Sequence, residues 1–156
     1  MVNRGIATLA AALMLCFLLL SHFDAQFFLV HFYESLIYVA ILLMLFYFED
    51  RWAYMLGILA PASWLVLITA IGGLPGFLRQ IGLLFHLERP DFAANFLGAV
   101  TFLLAVTMIV YCSVAWRRQF AGLGKGWKTF LPCLGVVAVY YAVMVLWILH
   151  WPRAVA

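Results

Sequence analysis

His31, Glu34, Ser35 and Tyr38 are the residues of this chain whose types and spacing could do chemistry together. Side chains three, four and seven positions apart share one face of a helix. An imidazole, a carboxylate, a hydroxyl and a phenol therefore make one polar stripe, set near the start of an apolar run over residues 27–48. A carboxylate inside a membrane-spanning segment is costly to bury and marks a functional site by default. Three roles suit His31 and Glu34: holding a metal ion, contacting a cofactor, or handling a proton, for instance one given up by a quinol. A structural alternative stands beside them. Glu34 sits some seven residues into its helix, roughly 10 Å along the axis at ~1.5 Å per residue. There it can snorkel to the surface or gain from the helix amino-terminal dipole.

The other three histidines widen the set. His22, His31, Glu34 and His86 are the candidate metal ligands. Membrane haems take axial histidines, and His31 with His150 is the only pair worth considering for that, so His31, Glu34 and His150 are the candidate cofactor contacts. Which cofactor is bound, if any, stays open. The competing reading is interfacial: histidine, like Trp and Tyr, collects where water meets lipid. No Gly-x-Ser-x-Gly frame surrounds Ser21, Ser35, Ser63 or Ser113, and there is no His-Glu-x-x-His or paired-cysteine motif, so enzymatic chemistry is not expected. Gly122, Gly124 and Gly126 with Lys125 lack the Walker spacing and a preceding strand, and read as a flexible turn. Cys16, Cys112 and Cys133 lie in apolar runs without ligand spacing and read as small buried hydrophobes.

The elements that must position these residues are membrane helices. Hydrophobic residues make up 69% of the chain and charged ones 10%, against about 25% charged in soluble domains. Runs over residues 5–22, 27–48, 52–73, 92–116 and 129–151 each approach the ~20 residues that a spanning helix needs. The first follows Asn3 and Arg4 and resembles a secretory signal. Phe23 stands where cleavage wants a small residue, and nothing before Cys16 resembles a lipoprotein site, so an uncleaved spanning helix is expected. Glu49, Asp50 and Arg51 join runs two and three in a tight hairpin. Pro61 should kink the third run, and the glycines and proline at 72–76 should end it. Residues 77–89 read as a short interfacial helix, with Phe77, Ile81, Leu84 and Phe85 on one face and Arg79, Gln80, His86, Glu88 and Arg89 too frequent for a span. Pro132 falls in the first turn of the fifth run, where proline is tolerated.

The fold expected is all-α: one integral membrane domain over residues 1–156, with five spanning helices and one interfacial helix. Small residues four apart (Ala7 and Ala11, Ala53 and Gly57, Ala94 and Gly98, Ala138 and Ala142) allow close helix approach. Numbering the flanks alternately puts Arg4, Arg51, Arg117, Arg118, Lys125 and Lys128 on one side and Arg79, Arg89 and Arg153 on the other. The first side is then cytoplasmic and the carboxyl terminus outside. All four histidines, with Asp24, Glu34, Glu88 and Asp91, then fall at the outer side. Arg117, Arg118, Lys125 and Lys128 should meet anionic lipid, at about 1 kcal/mol each.

The functional expectation is an accessory or structural subunit, or an assembly factor, of a larger membrane complex in a bacterial-type inner membrane. Its partners would be the bilayer and other membrane subunits, with no nucleic-acid interface. The alternatives are an outer-face redox, haem or metal-binding protein using His31 and Glu34, and a small oligomeric proton-coupled transporter with Glu34 as its coupling acid.

Overall fold

The computed structural model describes residues 3–47, 50–86, 93–120 and 126–150. The described residues form six α-helices and no strand: α1 (Arg4–Phe23), α2 (Phe28–Tyr47), α3 (Asp50–Ala70), α4 (Leu74–Phe85), α5 (Ala93–Phe120) and α6 (Gly126–His150). All but α4 are long and apolar enough to cross a membrane. The 12 residues of α4 extend only ~18 Å, short of the ~30 Å hydrocarbon core.

Asn3 starts α1 by accepting a hydrogen bond from the Ile6 backbone N–H at 3.4 Å, the usual work of an N-cap. The Asp24 N–H closes the same helix on the Leu20 carbonyl at 2.8 Å. Its carboxylate then accepts from the Phe27 N–H at 3.3 Å, organising a single 3₁₀ turn, Ala25–Phe27, that leads into α2. One residue thus ends one spanning helix and starts the next.

The end of α3 is a Schellman motif. Gly72 adopts φ 80°, the left-handed region that favours glycine. The Gly73 and Gly72 N–H groups donate to the carbonyls of Ile68 and Thr69 at 2.8 and 3.1 Å. The break is shorter than the run of glycines and proline suggested, because Leu74 already begins α4 and Pro75 sits in its first turn, where its missing N–H costs nothing. On α4, Phe77 and Gln80 turn inward while Phe85 is 84% exposed, so Phe85 does not join the packed face. It lies eight positions from Phe77, about 80° round the helix at 3.6 residues per turn. Residues 87–89, the expected end of this helix, lie outside the described residues.

Two further boundaries move outward. α5 continues through Arg117, Arg118 and Gln119 to Phe120, and the two arginines there suit the negative end of the helix dipole. α6 starts at Gly126, so Pro132 lies within the helix rather than in its first turn. α3 likewise runs through Pro61.

The core is built around Phe17 of α1, which stacks on Tyr38 of α2 at 5.6 Å and meets Trp64 of α3 edge-on at 5.5 Å. Phe77 anchors α4 between Trp64 and Phe102. Contacts of Gly5 with Tyr111 and of Tyr54 with Phe120 gather the start of α1, the start of α3 and the end of α5 at one end of the bundle. The Asp24 turn, α4 and the end of α6 lie at the other. Of the small-residue pairs, Ala53 and Gly57 are buried at a helix seam, whereas Ala138 and Ala142 face outward. They do not pack within the chain.

Candidate functional site

Glu34 is the innermost charged side chain of the described residues and is only 4% exposed. Burial of a carboxylate in a helix bundle demands partners, and α2 supplies the first one turn earlier. His31 Nδ1 lies 2.9 Å from Glu34 Oε2. The other ring nitrogen, Nε2, is 3.7 Å from Asp24 Oδ2. The Trp64 indole of α3 also reaches the Glu34 carboxylate. Side-chain exposure falls from 32% at Asp24 through 20% at His31 to 5% at Glu34, so the three form a graded chain from the end of the bundle into its interior.

Each element sets one member of that chain. Asp24 is fixed by its capping bond to Phe27, and Phe27 in turn lies edge-on to the His31 ring at 6.5 Å. The i, i+3 spacing brings His31 over Glu34 on one helix face. Trp64 is held by Phe17 and Phe77. The result can hold one proton between His31 and Glu34, either as imidazolium with carboxylate or as imidazole with carboxylic acid, and can exchange it with water through His31 and Asp24.

Ser35 leaves the stripe. Its hydroxyl donates to the Phe32 carbonyl at 2.6 Å, the backbone bonding that helical serines often adopt. Tyr38 stays on the stripe, one turn below Glu34. It is fully buried, and its hydroxyl has no hydrogen-bond partner among the described residues. A buried hydroxyl left unpaired costs about 1–3 kcal/mol. Tyr38→Phe keeps the ring on Phe17 and should therefore raise the thermal unfolding midpoint. A lowered midpoint would mean that the hydroxyl is satisfied, for example by water.

A tyrosine lock lies beside the site. Tyr33 of α2 and Tyr140 of α6 stack at 4.3 Å, and each hydroxyl donates to the other residue's backbone carbonyl. Tyr141 donates to the Ala60 carbonyl at 3.1 Å. Above the lock, toward the Asp24 end, α2 and α6 enclose an open groove of about 560 Å³ with Phe27, Val30, Trp147 and Ile148 among its walls.

The remaining candidates are scattered. His22 is exposed and rests edge-on against Phe23. His86 is exposed in the turn after α4. His150 Nδ1 lies 2.7 Å from the Leu146 carbonyl of its own helix, which makes that nitrogen the donor. Measured from the Tyr33–Tyr140 level, His31 stands two residues and His150 ten residues toward the same end, a difference of ~12 Å, and the structure does not pair them. Among the described residues no group of three or more His, Cys, Asp or Glu side chains is placed to hold a metal ion. Arg117, Arg118 and Lys128 are exposed at the opposite end, while Lys125, Glu88 and Asp91 lie outside the described residues. Cys16, Cys112 and Cys133 are buried free thiols.

Sequence spacing found His31, Glu34 and Tyr38 as a set. It placed Asp24 on the same side without making it a partner, although its i, i+7 relation to His31 was a usable signal. Trp64, Tyr140 and Tyr141 were missed, because nothing local marks a residue that reaches the site from a helix distant in sequence. No family model, curated protein or solved structure matches the chain.

Proposed function

We propose that this chain is a small subunit or assembly factor of a larger membrane complex, and that it contributes one proton-binding site, Glu34, served through His31 and Asp24. The observation that carries the reading is the 2.9 Å contact between His31 and a Glu34 carboxylate that is almost wholly buried. A purely interfacial glutamate would snorkel to water. This one turns inward to a histidine and an indole instead.

The subunit part of the reading draws support from α6. Gly135, Ala138 and Ala142 face outward together with Val136, Val139 and Val143, a surface of the kind that lets another helix approach closely. With the amino terminus in the cytoplasm, as the basic residues imply, the Asp24 end opens outside a bacterial-type inner membrane. Glu34 then exchanges protons with the outer aqueous phase.

The test is isolation of wild type and Glu34→Gln from native membranes in mild detergent. Native mass spectrometry should find both in the same assembly, and a pH-indicator pulse should show proton uptake reduced at least tenfold in the variant. A bare monomer with unchanged uptake would contradict the proposal. A homo-oligomer that moves protons unaided would favour the transporter instead.

A further inference from the structure

The opposite end of the bundle carries a second, chemically different feature. A cleft of about 160 Å³ lies between the start of α1 and the last turns of α5, lined by Asn3, Tyr111, Val114, Ala115, Arg118 and Gln119. None of these side chains is acidic. Arg118 is exposed, and no hydrogen bond or ion pair ties its guanidinium to a described residue. Asn3 already uses its Oδ1 to accept from the Ile6 N–H and from the Tyr111 hydroxyl. That leaves its amide N–H₂ as a donor. Among the described residues the polar equipment of the cleft is therefore a cation and amide donors without a counter-charge, which suits an anion.

Depth says which anion. α5 has 28 residues, or ~42 Å at 1.5 Å per residue, against a hydrocarbon core of ~30 Å. The surplus of ~12 Å leaves room for an end outside the core, and the exposed Arg117 and Arg118 in the last turn set that end at headgroup level. Below Arg118, the exposed side chains Val114, Val110 and Val106 follow at four-residue spacing along one ridge. From residue 118 to 106 that ridge descends ~18 Å, about one leaflet of the ~30 Å core. A polar, cationic head cleft above a leaflet-length apolar ridge has the outline of a phospholipid.

We infer that this cleft is a binding site for one anionic phospholipid, its phosphate against Arg118 and Asn3 and an acyl chain along the Val114–Val110–Val106 ridge. This is a discrete site, where the basic composition of the 117–128 region by itself implies only diffuse attraction. A headgroup with its own ammonium is disfavoured, because none of the described lining residues carries a carboxylate to receive it.

The full-length protein in mixed detergent micelles, titrated with phosphatidylglycerol, phosphatidylcholine or inorganic phosphate and read by native mass spectrometry, tests this. One phosphatidylglycerol should be retained per chain, at least tenfold more tightly than phosphatidylcholine, and millimolar phosphate should not displace it. Arg118→Gln should lose that affinity tenfold or more, whereas Arg117→Gln, outside the cleft, should lose less than threefold. Equal losses in the two variants would reveal a diffuse basic collar and overturn the site. Equal binding of both lipids would overturn its anion selectivity, and displacement by phosphate would make it a free-anion site rather than a lipid site.

Discussion

Replacing His31 with leucine should destabilise the protein by about 3 kcal/mol, and replacing Glu34 with leucine in the same chain should restore most of the loss. The single change strands Glu34, which is only 4% exposed, with the Trp64 indole still beside it but no histidine to share its proton. Breaking one half of a buried pair costs about 3–5 kcal/mol, whereas exchanging both halves for apolar groups is often neutral. In a bilayer, individual hydrogen bonds average only ~0.6 kcal/mol, so loss of the contact alone could not produce the larger figure. The expected size comes from the abandoned carboxyl, for which ~2.5–3.5 kcal/mol at a helix centre is the relevant scale. Equilibrium unfolding in mixed micelles of the wild type, both single variants and the double variant completes the cycle. Additive effects would show that the two residues act independently.

The second large effect is expected at the seam between α3 and α5. A Cβ added at Gly57 would stand 2.7 Å from Cys112 Sγ and 3.0 Å from Met108 Cε. Both neighbours are fully buried, so neither can swing aside into lipid. Overpacking of this kind costs typically ~1–3 kcal/mol. Gly57→Ala should lower stability by about 2 kcal/mol within that range, and Cys112→Ala should recover at least half of it by vacating the space. A thermal melt of the single and double variants decides the matter; a Gly57→Ala chain as stable as wild type would refute the seam. Gly5 provides the contrast. Its added Cβ would meet the Tyr111 phenol even more closely, yet Tyr111 is 43% exposed and can turn outward. Gly5→Ala should shift the melting point far less.

The five spanning helices were legible because apolar runs of membrane length are unambiguous in composition. Their ends were less so. Arg117 and Arg118 read as loop residues, but a helix longer than the bilayer is thick can carry charges in its last turn. Lys128 read as loop for the same reason, and its place in α6 moved Pro132 from the first turn to the interior. The stripe of His31, Glu34 and Tyr38 was visible as an i, i+3, i+7 pattern, while Ser35 shared the pattern and spends its hydroxyl on the Phe32 carbonyl. Helical periodicity identifies which side chains share a face. It carries no information on whether a hydroxyl will prefer its own backbone, or on which residue of a distant helix, here Trp64, will complete the pocket.

The central claim is that Glu34 and His31 share an exchangeable proton inside the membrane. Infrared difference spectroscopy between high and low pH, on the wild type and on Glu34→Gln, reads this most directly. The wild type should show a carbonyl band of a protonated, water-excluded carboxylic acid that is absent in the variant, together with imidazole bands that change in step with it. A wild-type spectrum in which neither carboxyl nor imidazole bands respond to pH, or one that survives unchanged in Glu34→Gln, would contradict the account.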